Sequence, residues 1–350
     1  MCCSLSEFLY FCTFISMNYI GSKNRMTGFL VGSIRDVAGQ DLSQRVFCDL
    51  FAGTGAVGSA FKPLVCKVIA NDLESYSFVL NRHYVGNCQP LADWKYWLSE
   101  LNNLPPVSDG FIYQNYCLGS GSGRQYFSDA NGMKIDAMRR AIGDWIADGS
   151  INEDMYYFLL CSLLEEADRL ANTASVYGAF LKKLKSMAMK PLVLTPASFD
   201  CTDQQNEVFE EDANTLIRQI EGDILYLDPP YNLRQYGANY HILNTIAEYQ
   251  PFIPKGKTGI PPYKRSRYCS RVKVHQVFDD LLKNTHFQYV FLSYNNEGLL
   301  SPEIIRQTMS KYGRYDCIEM RHQRFKADSN ENRVHHAHAT TEYLHVLEIK

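Results

Sequence analysis

The chain has 350 residues, 46% of them apolar, with a formal net charge of −3 and eleven cysteines scattered without Cys-x-x-Cys spacing. That supplies material for a sizeable core and more chain than one typical domain needs, while no run of about 18 apolar residues is available to span a bilayer. An odd number of dispersed thiols speaks against a disulfide framework or a structural zinc site, so reduced cysteines of a cytoplasmic protein are expected.

Residues 1–16 are apolar but have no positively charged start, which is unlike a signal peptide. They read as an N-terminal extension, either a start assigned too far upstream or a short helix on the core. The first strand, Arg45-Val46-Phe47-Cys48, runs into Asp49-Leu50-Phe51-Ala52-Gly53-Thr54-Gly55-Ala56-Val57-Gly58. Glycines at 53, 55 and 58 let backbone approach a ligand where a helix begins. A bare Gly-x-Gly-x-x-Gly would suggest a dinucleotide. With Asp49 four residues ahead of Gly53, and Phe51 between them, the loop suits S-adenosylmethionine instead, since its sulfonium and amino groups are cationic and no pyrophosphate needs a seat. Asp49, Phe51, Gly53 and Gly55 are therefore expected to bind this cofactor. The next strand, Val65 to Ala70, ends in Asn71-Asp72-Leu73-Glu74. An acid about twenty residues beyond the glycines is placed to accept from ribose hydroxyls, Asp72 first and Glu74 second. The same acids could equally cap and open a helix.

Residues 91–195 have a different texture. A Gly/Ser run, Gly119 to Gly123, precedes helical periodicity over 133–147, 153–170 and 176–187, the last closed by Lys182, Lys183, Lys185 and Lys190. This predicts a mainly helical insertion. Strands are then expected near 205–211 and 223–228, the second ending in Asp228-Pro229-Pro230-Tyr231. Each proline lacks an N–H and has a fixed φ, so this turn is stiff and rich in acceptors. A carboxylate and a carbonyl can both accept from one planar NH2 while the aromatic ring stacks on the base that carries it. An exocyclic amine is a poor nucleophile because its lone pair is delocalised; two acceptors on its hydrogens push the nitrogen towards sp3 and let it attack a methyl. Alone, the tetrapeptide could be only a rigid turn; the glycine motif ahead of it favours catalysis.

A helix over 239–249 follows, and Asn232, Arg234, Gln235, Tyr236, Tyr240 and His241 either touch phosphates or merely begin it. Between Gln250 and Phe278 the chain holds Lys255, Lys257, Lys264, Arg265, Arg267, Arg271 and Lys273 with no acid until the following helix, interleaved with Tyr263 and Tyr268. That composition predicts a loop that tracks the phosphates of double-stranded DNA. Strands near 288–294, 315–322 and 342–349 complete a doubly wound α/β pattern. His335-His336-Ala337-His338 reads as a polar loop, and no metal site is expected.

With the glycine motif ahead of Asp-Pro-Pro-Tyr, the chain resembles the DNA adenine methylase family. Met17 to Met26 is similar to that family's opening motif, which implies that Tyr19 and Lys23 lie near the methionine end of the cofactor. Glu211-Asp212-Ala213-Asn214 resembles the segment that offers an acid, here Asp212, to the cofactor's adenine amino group. Phe291 to Gly298 is similar to the strand and turn on the far side of the target-base pocket, Arg321 to Lys326 resembles the late motif that forms another pocket wall, and Arg324 and Lys326 join the expected DNA contacts. The resemblance implies a Rossmann-like methyltransferase sheet formed by residues 17–90 and 196–350, with 91–195 as target-recognition module. It implies methyl transfer from S-adenosylmethionine to the N6 of an extruded adenine in a specific duplex sequence, with a cognate restriction endonuclease acting on the same site. N6-adenine transfer to RNA, N4-cytosine transfer in DNA, and a catalytically silent DNA-binding homologue are the competing readings.

Overall fold

A computed structural model of the chain describes residues 23–323 and 339–349. Seven strands form one sheet: β1 (Val46–Asp49), β2 (Lys67–Asn71), β3 (Glu207–Phe209), β4 (Gly222–Leu227), β5 (Phe287–Asn295), β6 (Gly313–Gln323) and β7 (Ala339–Ile349). Their order is β3-β2-β1-β4-β5-β7-β6, parallel through β5, with β7 antiparallel to both its neighbours. The five strands expected after residue 200 all form, within a few residues of the expected limits.

β1, β2 and β4 are buried nearly end to end because helices cover both faces of the sheet. Successive side chains on β1 enter different cores. Phe47 packs with Leu30, Ile34, Phe61 and Val68, its ring stacked on Phe61 at 4.0 Å, while Cys48 joins Leu225, Phe278, Leu281 and Val290 on the other face. The chain runs outward from β1 to β2 and β3, then returns to place β4 on the other side of β1. The strand order therefore reverses between β1 and β4, and a crevice opens at their carboxyl ends. Asp49 ends β1 opposite Tyr226, and Asp228 directly follows the last residue of β4.

Between the helix Ser75–Asn81 and β3 the chain forms helices Trp94–Asn103, Phe111–Tyr116, Asp129–Ala147 and Glu153–Leu170. Ser128 and Asn152 cap the last two by accepting from Asn131 N and Met155 N. Leu98, Ile112, Ile135, Leu159 and Leu163 share one core with Tyr76 and Leu80 and with Ile242 and Ile246 of the helix His241–Glu248, so these helices lean on the sheet's own helices. The helix expected over 176–187 does not form. Tyr177 N donates to Asn239 O at 2.8 Å, Leu181 N to Asn172 O at 3.0 Å and Lys185 N to Asn172 Oδ1 at 3.0 Å, so distant partners replace the helical ladder. Lys182, Lys183 and Lys185 thus lie on a loop, and Lys190 follows a short 3-10 turn, Ser186–Met189. Among the described residues no helix is long and apolar enough to cross a membrane.

Candidate active site

The crevice holds a cleft with about 950 Å³ of space, including its open mouth. Its walls combine Asp49, Phe51, Gly53, Asp72, Glu74 and Asp212 with Lys23, Asp228, Pro230 and Tyr231. The two motifs, nearly 180 residues apart in sequence, thus face one cavity.

The glycine loop is fixed from below. Ala52 N donates to Asn71 O at 2.8 Å, Gly53 N to Asp72 Oδ2 at 2.8 Å, and Asn71 Nδ2 to Leu50 O at 3.1 Å. Gly53 and Gly55 have φ of 53° and 81°, a region that disfavours any side chain. Asp49 is buried. Its Oδ2 accepts from Gly58 N at 3.2 Å, while Oδ1 is buried with no hydrogen-bond partner. Burial, and after it the nearby Asp228 carboxylate, pushes the Asp49 carboxyl up to about 8. Asp49 lines the cleft, and a buried acceptor there that lacks a donor fits a cationic ligand group.

Asp72 accepts from Gly53 N and from Glu74 N, and burial raises its carboxyl above the ordinary range. Glu74, also buried, accepts from Asn244 Nδ2 at 2.6 Å, and burial lifts it to about 7. The helix that begins at Ser75 has Glu74 as its cap residue without a side-chain capping bond, so Glu74 faces the cleft instead of capping. Asp212 does cap: its Oδ1 accepts from Asn214 N and Thr215 N and pairs with Arg267 at 2.9 Å. One oxygen of the expected adenine acceptor is therefore already engaged. Phe51 and Tyr268 line the cleft in an edge-to-face pair at 5.0 Å.

Across the cleft, Leu299 N donates to Tyr231 O at 3.0 Å and ties the Asp-Pro-Pro-Tyr turn to the segment after β5. Lys23 Nζ lies 3.4 Å from Asp228 Oδ1 and 2.5 Å from Glu342 Oε1, and Ser293 Oγ donates to the same Glu342 oxygen at 3.0 Å. Burial alone would lower the Lys23 ammonium, but Asp228 and Glu342 outweigh it and the group is held above its ordinary value. Asp228 is pushed up to about 6, chiefly by burial, with Lys23 lowering it and Glu342 raising it. Glu342 was not expected: it lies 319 residues from Lys23 in an antiparallel strand whose spelling shows no motif. Ser266, also in the cleft wall, carries no sequence signal either, while Tyr236 and Tyr268, read from sequence as a phosphate contact or helix start and as part of the basic loop, line the cleft instead.

The basic segment borders the cleft through Ser266, whose N donates to Gln235 Oε1 at 2.8 Å while Gln235 Nε2 donates back to Ser266 O. Farther out, Tyr116 OH donates to Gly259 O and Arg124 to Gly256 O and Lys257 O, fastening the segment to the helical region. Lys264 pairs with Glu210 at 2.6 Å and Arg267 with Asp212, whereas Arg265 lies over the Tyr263 ring and Arg271 and Lys273 are exposed. Tyr19, Arg324, Lys326 and the histidine run lie outside the described residues, as does the N-terminal extension.

A sequence model of the D12 class of N6 adenine-specific DNA methyltransferases matches residues 19–308. The chain is 58% identical over 332 residues to the Type II methyltransferase M.NlaIII of Neisseria lactamica, covering 95% of this chain and 99% of that protein. It is 37% identical to the Type II methyltransferase M.CviAII of Paramecium bursaria Chlorella virus 1, over 89% of this chain and 93% of the relative. With M.FokI of Planomicrobium okeanokoites it shares 33% identity over 89% of this chain, which spans 50% of that longer protein. A cleft at the strand-order reversal, walled by a glycine loop and an Asp-Pro-Pro-Tyr turn, agrees with these matches, and the chain belongs to the D12 class of N6 adenine-specific DNA methyltransferases.

Proposed function

We propose that this chain moves the methyl group of S-adenosylmethionine to the N6 amino group of an adenine rotated out of duplex DNA at a specific sequence, as the modification partner of a restriction endonuclease. The observation that carries the reading is the single cleft joining Asp49, with its unpartnered buried Oδ1, to Asp228 and Tyr231. When bound, S-adenosylmethionine supplies an electrophilic methyl on sulfonium. Asp49 offers a negative charge to its cationic groups, Asp72 and Glu74 offer acceptors for ribose hydroxyls, and Phe51 and Tyr268 offer ring edges to an adenine. The names of the Type II relatives support the modification role.

An adenine amine is inaccessible inside a duplex, so extrusion comes first and costs a few kcal/mol. Tyr231 returns about 1–3 kcal/mol of this by stacking on the base. Asp228 and the carbonyl of Pro229 accept from the two N–H bonds and aim the lone pair across the cleft; such orientation supplies much of the rate. Once the nitrogen carries the methyl it is a strong acid, and a carboxylate held near 6 is basic enough to receive its proton. The basic segment, which reaches the cleft wall at Ser266 and Tyr268, follows phosphates through Lys264, Arg265, Arg267, Arg271 and Lys273, and the helices between residues 94 and 170 to which it is fastened are the module for reading sequence.

Transfer of labelled methyl from S-adenosylmethionine to unmethylated duplex DNA tests the activity. Methylome sequencing of a methylation-free host expressing the protein then reads the base and the site together. N6-methyladenine confined to one sequence is the expected product; N4-methylcytosine, methylated RNA or no product would each overturn the reading.

A further inference from the structure

We propose that Glu342 is a positioning residue for methyl transfer: it holds the Lys23 ammonium to one side, so that Asp228 turns its acceptor atoms to the substrate amine instead of to a lysine. The inference rests on the assignment of Asp228 as the amine's acceptor.

Three charged groups share one buried corner, two carboxylates and one ammonium, with Lys23 and Asp228 only 8% and 18% exposed. Lys23 lies between the acids but is not shared evenly. Its distance to Glu342 is that of a direct charge-assisted hydrogen bond, 2.5 Å, whereas its 3.4 Å distance to Asp228 exceeds the usual range of about 2.7–3.2 Å. Glu342 is itself anchored. Ser293 on β5 donates to the oxygen that Lys23 binds, and the pairing of β5 with β7 sets Glu342 opposite Asn295 at the cleft end of the sheet. The lysine is thus fixed by a carboxylate whose own position is determined from the sheet.

Without that anchor the nearest carboxylate to Lys23 is Asp228, less than 1 Å beyond hydrogen-bonding distance. A lysine bonded to Oδ1 would occupy an acceptor that the substrate amine requires and would weaken the carboxylate as a proton acceptor. Lys23 would then inhibit the reaction by competing with the substrate amine for Asp228.

The experiment is a double-mutant cycle on the full-length chain with Glu342→Gln and Lys23→Met, read by kcat and KM for cognate duplex, by single-turnover transfer and by the calorimetric Kd for S-adenosylmethionine. Glu342→Gln is expected to lower kcat about 10–100-fold, with KM and Kd within about threefold of wild type. In the Lys23→Met background the same substitution is expected to have little further effect, because the lysine that would obstruct Asp228 is gone. Wild-type kcat in Glu342→Gln, losses that multiply in the double variant, or loss of cofactor binding in parallel with activity would overturn the proposal. Should Glu342→Gln fail to fold, Ser293→Ala removes the anchor: a fall in kcat that disappears with Lys23→Met is expected, and an unchanged kcat refutes the role. Asp228→Ala separates the two levels. Activity in that variant removes the underlying assignment, whereas its inactivity beside a fully active Glu342→Gln refutes only the part given to Glu342.

Discussion

Asp49→Asn tests how a buried acid prepares the cleft for a cation. The wild-type carboxyl is raised from the ordinary 3.8 to about 8, first by burial and then by Asp228, with the Gly58 N–H opposing. A carboxyl whose folded value exceeds its unfolded value binds more protons in the native state, so its contribution to stability falls as pH rises from about 4 to about 8. Each step of one in pH across that window is worth about 1.4 kcal/mol, so holding Asp49 protonated in the fold, when it is ionised in the unfolded chain, opposes folding of the ligand-free protein by up to about 4 kcal/mol at pH 7. Asparagine keeps an oxygen for Gly58 N and puts its NH2 in place of the unpartnered Oδ1, but cannot ionise. The ligand-free variant should therefore have a higher Tm than wild type, by a margin that widens from pH 5 to pH 8. Its affinity for S-adenosylmethionine should drop about 10–100-fold, the worth of one charged hydrogen bond. Thermal melts across that pH range, with and without cofactor, and calorimetric titration measure both effects. Parallel melting curves for the two proteins at every pH, together with unchanged cofactor affinity, would refute the reasoning.

Asp228→Ala should abolish methyl transfer while cofactor affinity stays within a few-fold, and a large loss of that affinity by calorimetry would place Asp228 in cofactor binding instead. Tyr231→Phe should retain most of the activity and Tyr231→Ala lose it, because the ring's face, not its hydroxyl, meets the base; equal damage in kinetic assays would argue against stacking. Neutralising Arg265, Arg271 and Lys273, which form none of the described ion pairs, should weaken duplex binding at all sequences and flatten the salt dependence by about 0.9 in log–log slope for each phosphate that then goes without a protein cation. Neutralising Lys264 or Arg267 should flatten it less, since Glu210 and Asp212 already compete for those cations. Fluorescence anisotropy over a salt series distinguishes the two groups.

Chemistry confined to a few adjacent residues was legible in the sequence. The glycine loop, the Asp-Pro-Pro-Tyr turn and the buried strands leading into them are local: backbone freedom, proline stiffness and runs of apolar residues are properties of the segment itself. The alternation of strands and helices likewise announced the sheet. The stretch 176–187 shows where this fails, since its helical spacing lost to bonds donated to Asn172 and Asn239 that no local pattern contains. What only the tertiary structure decided is which groups meet across the cleft. Strand order brought Asp49 to Asp228, β7 brought Glu342 to Lys23, and the basic segment brought Arg267 to Asp212. Burial and the charge of distant neighbours set how each of these acids holds its proton, and both depend on contacts between residues far apart in the chain, which only the folded chain creates.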